Sequence, residues 1–142
     1  MVAGPGLLDT STIILLPRLT NAAALPQVML ISAITLAELS VGPLVAADDA
    51  ERAARQAELQ EAESSFDALP FDADAARAFA GVAASLRRAG SKASARTYDA
   101  MIAAVAIANQ LPIFTCNPGD FEGIDGLDVI AIAHPDSAAP PH

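Results

Sequence analysis

Apolar residues along the chain alternate between short continuous runs and helical spacing. Gly6-Leu7-Leu8 is an apolar run stopped at Asp9-Thr10-Ser11, after which residues 12–19 read as a short helix. A second run, Val28-Met29-Leu30-Ile31, leads to Ser32, whose hydroxyl suits a helix N-cap. The helix behind it carries Ile34, Leu36, Ala37, Leu39, Val41 and Leu44, with Pro43 kinking or ending it. Residues 48–66 are polar and alanine-rich with alternating Glu, Arg and Gln, the pattern of an exposed amphipathic helix. Ala68-Leu69-Pro70-Phe71 predicts a short strand, and Asp72 caps a helix that runs through Arg88 and stops at Gly90. Residues 100–108 make the most apolar helix. Leu111-Pro112-Ile113-Phe114 follows, then a polar loop over 115–126 and a last strand, Leu127-Asp128-Val129-Ile130. The Pro/Ala-rich segment 134–142 predicts a frayed, disordered tail.

Short, wholly apolar strands separated by helices imply a parallel sheet covered on both faces. The expected architecture is one three-layer α/β/α domain over residues 1–133, with a parallel sheet of about five strands. A chain of 142 residues that is 53% hydrophobic and 18% charged can close such a core without staples. The one cysteine, Cys116, excludes an internal disulfide framework and any Cys-rich zinc site, and reads as structural. Two histidines leave no material for a His-based zinc centre. The apolar runs fall well short of the ~20 residues of a membrane span. The N-terminus lacks a basic region before Asp9, so the expected location is the cytoplasm. A net charge of −9 argues against broad, non-specific nucleic-acid binding.

Acidic residues carry the candidate chemistry. In open α/β sheets, ligands bind at the carboxyl ends of the strands. Asp9 ends the first strand, Asp120 lies in the loop after Phe114, and Asp128 falls inside the last strand pattern; Glu38 and Asp99 interrupt apolar helices. Each has a structural alternative. Asp9 can cap the first helix, Asp120 can be a turn residue, and Asp99 in a first turn complements the helix dipole. Glu38 shares a helix face with Ile34 and Val41, so it needs a partner, a cation or an aqueous cleft. Taken together, these acids can converge on one cleft, where they repel unless a hard cation neutralises them. Oxygen-only ligands suit Mg²⁺ or Mn²⁺, and such a centre activates water for in-line attack on a phosphodiester. Removing charge from such a cluster should stabilise the metal-free fold.

At these positions the sequence resembles a known family. Leu7-Leu8-Asp9-Thr10-Ser11 resembles the opening of PIN-domain ribonucleases, and Ile34-Thr35-Leu36-Ala37-Glu38-Leu39 resembles their second-helix motif. Tyr98-Asp99-Ala100-Met101-Ile102-Ala103-Ala104 resembles the helix bearing their third acid. Thr115-Cys116-Asn117-Pro118-Gly119-Asp120-Phe121 is similar to the Thr-x-Asn-x-x-Asp-Phe end of the VapC toxins of type II toxin–antitoxin pairs. The motifs occur in the family's order from Leu7 to Ile130.

The resemblance implies a PIN-like fold and a Mg²⁺-dependent endoribonuclease, and with so few cations a structured RNA recognised by shape would suit the chain better than long single strands. It also implies a homodimer, with a cognate VapB-type antitoxin laying its C-terminal segment across the acidic cleft. By position, Asp9, Glu38 and Asp99 would be the core acids, with Asp9 and Asp99 as direct metal ligands. At the fourth position many PIN proteins carry an acid in the slot of Asn117, and here Asp120 follows three residues later. Either Asp120 substitutes as catalytic acid and metal ligand, or a second metal is weakly held. Ser11, Thr115 and Asn117 would orient water or contact phosphate; hydroxyl caps and turn bonds are the structural alternative. Arg87, Arg88, Lys92 and Arg96 would place positive charge beside the cleft, Arg96 nearest the Asp99 helix; a solvated helix end is the alternative.

Two other enzyme classes fit poorly. A haloacid-dehalogenase-type phosphatase needs a second Asp where Ser11 stands. A response-regulator receiver needs an early acidic pair and a strand-end lysine, whereas Lys92 follows a helix. The remaining rival is a catalytically inactive PIN-like module that binds RNA or protein, favoured by Asn117 alone.

Overall fold

A computed structural model of the chain describes residues 1–91 and 96–137. In chain order the elements are β1 (Val2–Leu8), α1 (Thr10–Leu15), β2 (Pro26–Ser32), α2 (Ala33–Leu44), α3 (Asp49–Ser65) and β3 (Ala68–Leu69). They continue with α4 (Ala73–Arg88), α5 (Thr97–Ala108), β4 (Ile113–Thr115) and β5 (Val129–Ala131). The strands form one sheet in the order β3-β2-β1-β4-β5, and every neighbouring pair is parallel. This is the three-layer α/β/α architecture that the run pattern predicts.

Pleating sends successive side chains to opposite faces, which divides the core in two. Leu7 and Ile113 join Val82 and Leu86 of α4 and Ile102 and Val105 of α5 on one side. Leu8, Ile31 and Phe114 join Ile13 of α1, Leu39 of α2 and Ala62 of α3 on the other. Buried on both faces, the central strands read as continuous apolar runs rather than alternating ones. Gly6 lets β1 lie against β4: a Cβ there would sit 2.4 Å from the Phe114 ring and 3.0 Å from Pro26.

Local chemistry sets the helix starts. Ser32 accepts the Thr35 N–H and caps α2, and Asp72 accepts the Ala75 N–H and caps α4. Asp9 caps α1, which therefore opens at Thr10 rather than at residue 12. It closes at Leu15, where Leu16–Arg18 tightens into a 3₁₀ turn around Pro17, whose missing N–H cannot extend the helix. Pro43 lies in the last turn of α2, one residue before its end. Helix α5 begins at Thr97, earlier than the apolar run suggests, and so takes Tyr98 and Asp99 into its first turn.

The last strand is shifted. β5 begins at Val129, so Asp128 precedes it, exposed, and contributes its carbonyl to the Ile113 N–H at 2.8 Å. Of the predicted tail, residues 134–137 form a turn tied down by the Arg18–Asp136 ion pair, and 138–142 lie outside the described residues. Among the described residues no helix is long and apolar enough to cross a membrane.

Candidate active site

The chain builds β1, β2 and β3 outward in one direction and then returns to lay β4 and β5 on the other side of β1. The carboxyl ends of β1 and β4 therefore flank the point where strand order reverses, the crevice in which open α/β sheets hold ligands. Asp9 is the residue after β1, and Thr115 is the last residue of β4.

Asp9 is buried, 2% exposed, yet its carboxylate is fully surrounded by donors. It accepts the Thr12 N–H at 3.3 Å, the Thr12 hydroxyl, the Ser11 hydroxyl at 3.1 Å and the Thr115 hydroxyl at 2.9 Å. Burial raises its pKa, and the bonds from Thr12, Thr115 and Ser11 only partly oppose that rise. Each hydroxyl is itself held by the segment after β4. The Cys116 N–H donates to Thr12 Oγ1 at 3.0 Å, the Asn117 N–H to Thr115 Oγ1 at 2.9 Å, and the Asn117 side-chain amide to Ser11 Oγ at 3.0 Å. Receiving one bond from this segment, each hydroxyl gives its single proton to Asp9.

Glu38 faces the same crevice from α2. The Thr10 hydroxyl donates to its Oε1 at 2.7 Å, and Thr35 Oγ1 lies 3.0 Å from Thr10 Oγ1. Because Thr10 gives its only proton to Glu38, Thr35 is the donor in that second bond. Burial raises the Glu38 pKa, Thr10 opposes it, and the Asp9 charge adds to it.

Asp99 reports the convergence most clearly. Half-buried in the first turn of α5, it is pushed up from 3.8 to about 6 by burial first, and then by the charges of Asp120, Asp9 and Glu38; Arg96 opposes them. Acids from three other segments of the chain thus act on Asp99. Asp120 is exposed in the 3₁₀ turn Pro118–Phe121, its N–H bonded to the Asn117 carbonyl at 3.0 Å. Arg96 stands at the N-cap position of α5, its guanidinium 3.4 Å from the Glu122 carbonyl.

Other expectations fall outside this cluster. Asp128 meets the amino end of β4, the opposite end of the sheet from Asp9, because the last strand starts one residue after it. Arg88 is engaged by Asp125 at 2.8 Å and Ser85 at 3.3 Å, and Lys92 lies outside the described residues. Cys116 is buried, and burial raises its thiol pKa, in keeping with a structural role. Thr10, Thr12 and Thr35 are the site hydroxyls that the pattern reading passed over. Their signal was available: hydroxyl residues crowd directly behind Asp9, and Thr35 stands one turn before Glu38.

Among the described residues, no group of three or more Asp, Glu, His or Cys side chains is placed to hold a metal ion as it stands. The donor chemistry nevertheless fits a hard cation, since it offers only carboxylate and hydroxyl oxygens around mutually repelling acids. Mg²⁺ keeps several waters and is held through one or two carboxylates, which requires no closed cage.

Comparison with known proteins agrees with this geometry. The PIN domain family matches residues 7–127. Ribonuclease VapC5 of Mycobacterium tuberculosis is 39% identical over 129 residues, 89% of this chain and 93% of the relative. Ribonuclease VapC8 of the same species is 37% identical over 72% of this chain and 91% of its own length. Among solved structures, VapBC-5 from M. tuberculosis, a member of the VapBC family of toxin–antitoxin systems, superposes with a TM-score of 0.76. It shares 35% identity over 90% of this chain and 98% of that one.

Proposed function

The chain belongs to the PIN-domain family, among the VapC-type ribonucleases, and from that premise we propose that it is a divalent-metal-dependent endoribonuclease. It acts as the toxin of a toxin–antitoxin pair, on structured RNA. The observation that carries the reading is the placement of Asp9, Glu38 and Asp99 around the reversal point of the sheet, with Glu38 tied through Thr10 to the start of α1; burial and the neighbouring acids there push the Asp99 pKa up to about 6.

Asp9 and Asp99 would hold the cation in this reading, Asp9 giving up one of its four hydrogen bonds to do so, with Glu38 and Asp120 completing the negative ring. Bound Mg²⁺ or Mn²⁺ supplies charge neutralisation and lowers the pKa of a water near the scissile phosphate. Asp9 is immobilised for that role by the hydroxyls of Ser11, Thr12 and Thr115. Glu38, oriented by Thr10, takes the proton of the attacking water. Arg96, the cation whose charge Asp99 feels, meets the phosphate. Asn117 serves by holding Ser11 and Thr115 rather than as a ligand, and Asp120 supplies the fourth charge.

The functional unit is residues 1–133, active as a homodimer in the cytoplasm and silenced by a VapB-type antitoxin. Solved relatives support the antitoxin, since VapBC-5 carries the toxin–antitoxin pair in its name. The test is cleavage of total RNA by the purified chain. Mg²⁺ or Mn²⁺ should give discrete products, EDTA none, and Asp99→Asn a loss of at least about a hundredfold with the fold intact. Wild-type protein that cuts no RNA with either metal refutes the proposal and leaves the inactive binding module.

A further inference from the structure

The chain has one tyrosine, no tryptophan and five phenylalanines. Every phenylalanine is buried or half-buried, whereas Tyr98 is 57% exposed, the one exposed aromatic among the described residues. Its ring stands in the first turn of α5, directly before Asp99. With Ala37, Glu38 and Val41 of α2 it lines a recess of about 240 Å³. Two aliphatic side chains and a ring thus form its apolar walls, and its fourth lining residue is one of the four acids. A larger cavity of about 470 Å³, between α1 and α3, contains none of those acids.

Charge sharpens the meaning of this recess. At net −9, with Arg88 engaged by Asp125, Arg96 is the one cation among the described residues whose charge acts on Asp99, so attraction of phosphates here is limited. Beyond the Arg96 contact, affinity for RNA here gains from a source that does not depend on positive charge. Stacking of an unpaired base on an aromatic ring is such a source, and it tolerates an acidic neighbourhood because both surfaces are neutral.

We propose that Tyr98 stacks the unpaired base next to the scissile phosphate, in the recess closed by Ala37 and Val41. The inference rests on the ribonuclease reading above and adds a substrate-binding residue to it. It requires the target to present a single-stranded nucleotide at the cut, such as a loop within a structured RNA.

The experiment first maps the cut in total RNA, then builds a hairpin with that cut in its loop. Abasic nucleotides replace the bases on either side in turn. In the wild type, one abasic position should lower kcat/KM by about five- to a hundredfold, chiefly through KM. Tyr98→Ala should lose the same factor on the intact hairpin and nothing further on the abasic one, while Tyr98→Phe stays close to wild type. With Tyr98 as sole tyrosine and no tryptophan, tyrosine emission gives a readout free of cleavage. In EDTA the intact hairpin should quench it, and the abasic hairpin should not.

Tyr98→Ala that cleaves the intact hairpin like wild type overturns the proposal. So do losses that multiply between the variant and the abasic site, and quenching that ignores the base. Wild-type protein that cuts no RNA fails earlier, and takes the ribonuclease reading with it.

Discussion

The raised pKa of Asp99 makes a quantitative demand on stability. Folding moves this carboxyl from 3.8 to about 6, so the folded chain holds the proton more tightly than the unfolded one. The neutral acid's advantage is complete below the unfolded value and is lost as pH rises through about 6. Taken in full, the shift corresponds to about 3 kcal/mol. Asp99 is only half-buried, and solvent screening leaves about 1–1.5 kcal/mol of that. The dipole of α5 works the other way, favouring a charge in its first turn by about 0.5 kcal/mol, too little to reverse the sign. Asp99→Asn should therefore stabilise the metal-free protein at pH 7.5 by about 0.5–1 kcal/mol, raising Tm by roughly 2–4 °C for a chain of this length. Thermal melts in EDTA from pH 3 to pH 8, followed by circular dichroism, should show the gap closing below pH 4. Adding Mg²⁺ should then raise the wild-type Tm more than that of the variant. A variant that melts at or below wild type at pH 7.5 in EDTA, or a gap that persists in acid, refutes the account in which burial and neighbouring acids disfavour the Asp99 charge.

Two further perturbations separate charge from packing. Asp9→Asn removes the same charge with the opposite outcome, because whichever oxygen becomes an amide strands two donors among Thr12, Ser11 and Thr115. We expect a net loss of about 1–2 kcal/mol and a lower Tm in EDTA at pH 7.5; a higher Tm would show that the hydroxyl bonds matter less than the charge. Gly6→Ala drives a methyl group to 2.4 Å from the Phe114 ring and should lower the urea midpoint by an amount equal to about 1–3 kcal/mol with an unchanged slope. An unshifted midpoint would mean that Phe114 moves aside freely.

Most of the fold was legible because its strongest signals are local. Gly6-Leu7-Leu8 and Val28-Met29-Leu30-Ile31 announce buried parallel strands without any knowledge of what covers them, and Ser32 and Asp72 cap the helices that their hydroxyl and carboxylate suggest. The misplacements fall where local signals are weak. Leu127-Asp128-Val129-Ile130 carries no marker that separates its loop half from its strand half, and pairing with β4 decides the register. The start of α5 was hard to place because its N-cap position holds Arg96, which makes no side-chain cap bond and gives no cap signal. Thr10, Thr12 and Thr35 stand in telling places beside Asp9 and Glu38, but that signal was incomplete for a different reason. A hydroxyl shows its role only when the acceptor, often distant in sequence, is in view; Thr115 and Asp9 are 106 positions apart.

Asn117 is the place where sequence alone could not choose, and the geometry shows why an amide suits it. A carboxylate in its position would compete with Asp9 for the Ser11 proton, since Ser11 now receives from the Asn117 amide and gives to Asp9. Asp9 would lose a donor, and a second negative charge would enter the half-buried surroundings of Asp9 and repel it. Asp120 avoids both penalties by carrying its charge on the exposed turn that begins after Asn117, where Asp99 feels it more strongly than it feels Asp9 or Glu38. The loop after β4 thus divides between two residues what one acid would have to do alone: Asn117 sets the direction of the hydroxyls at Asp9, and Asp120 brings the charge to Asp99.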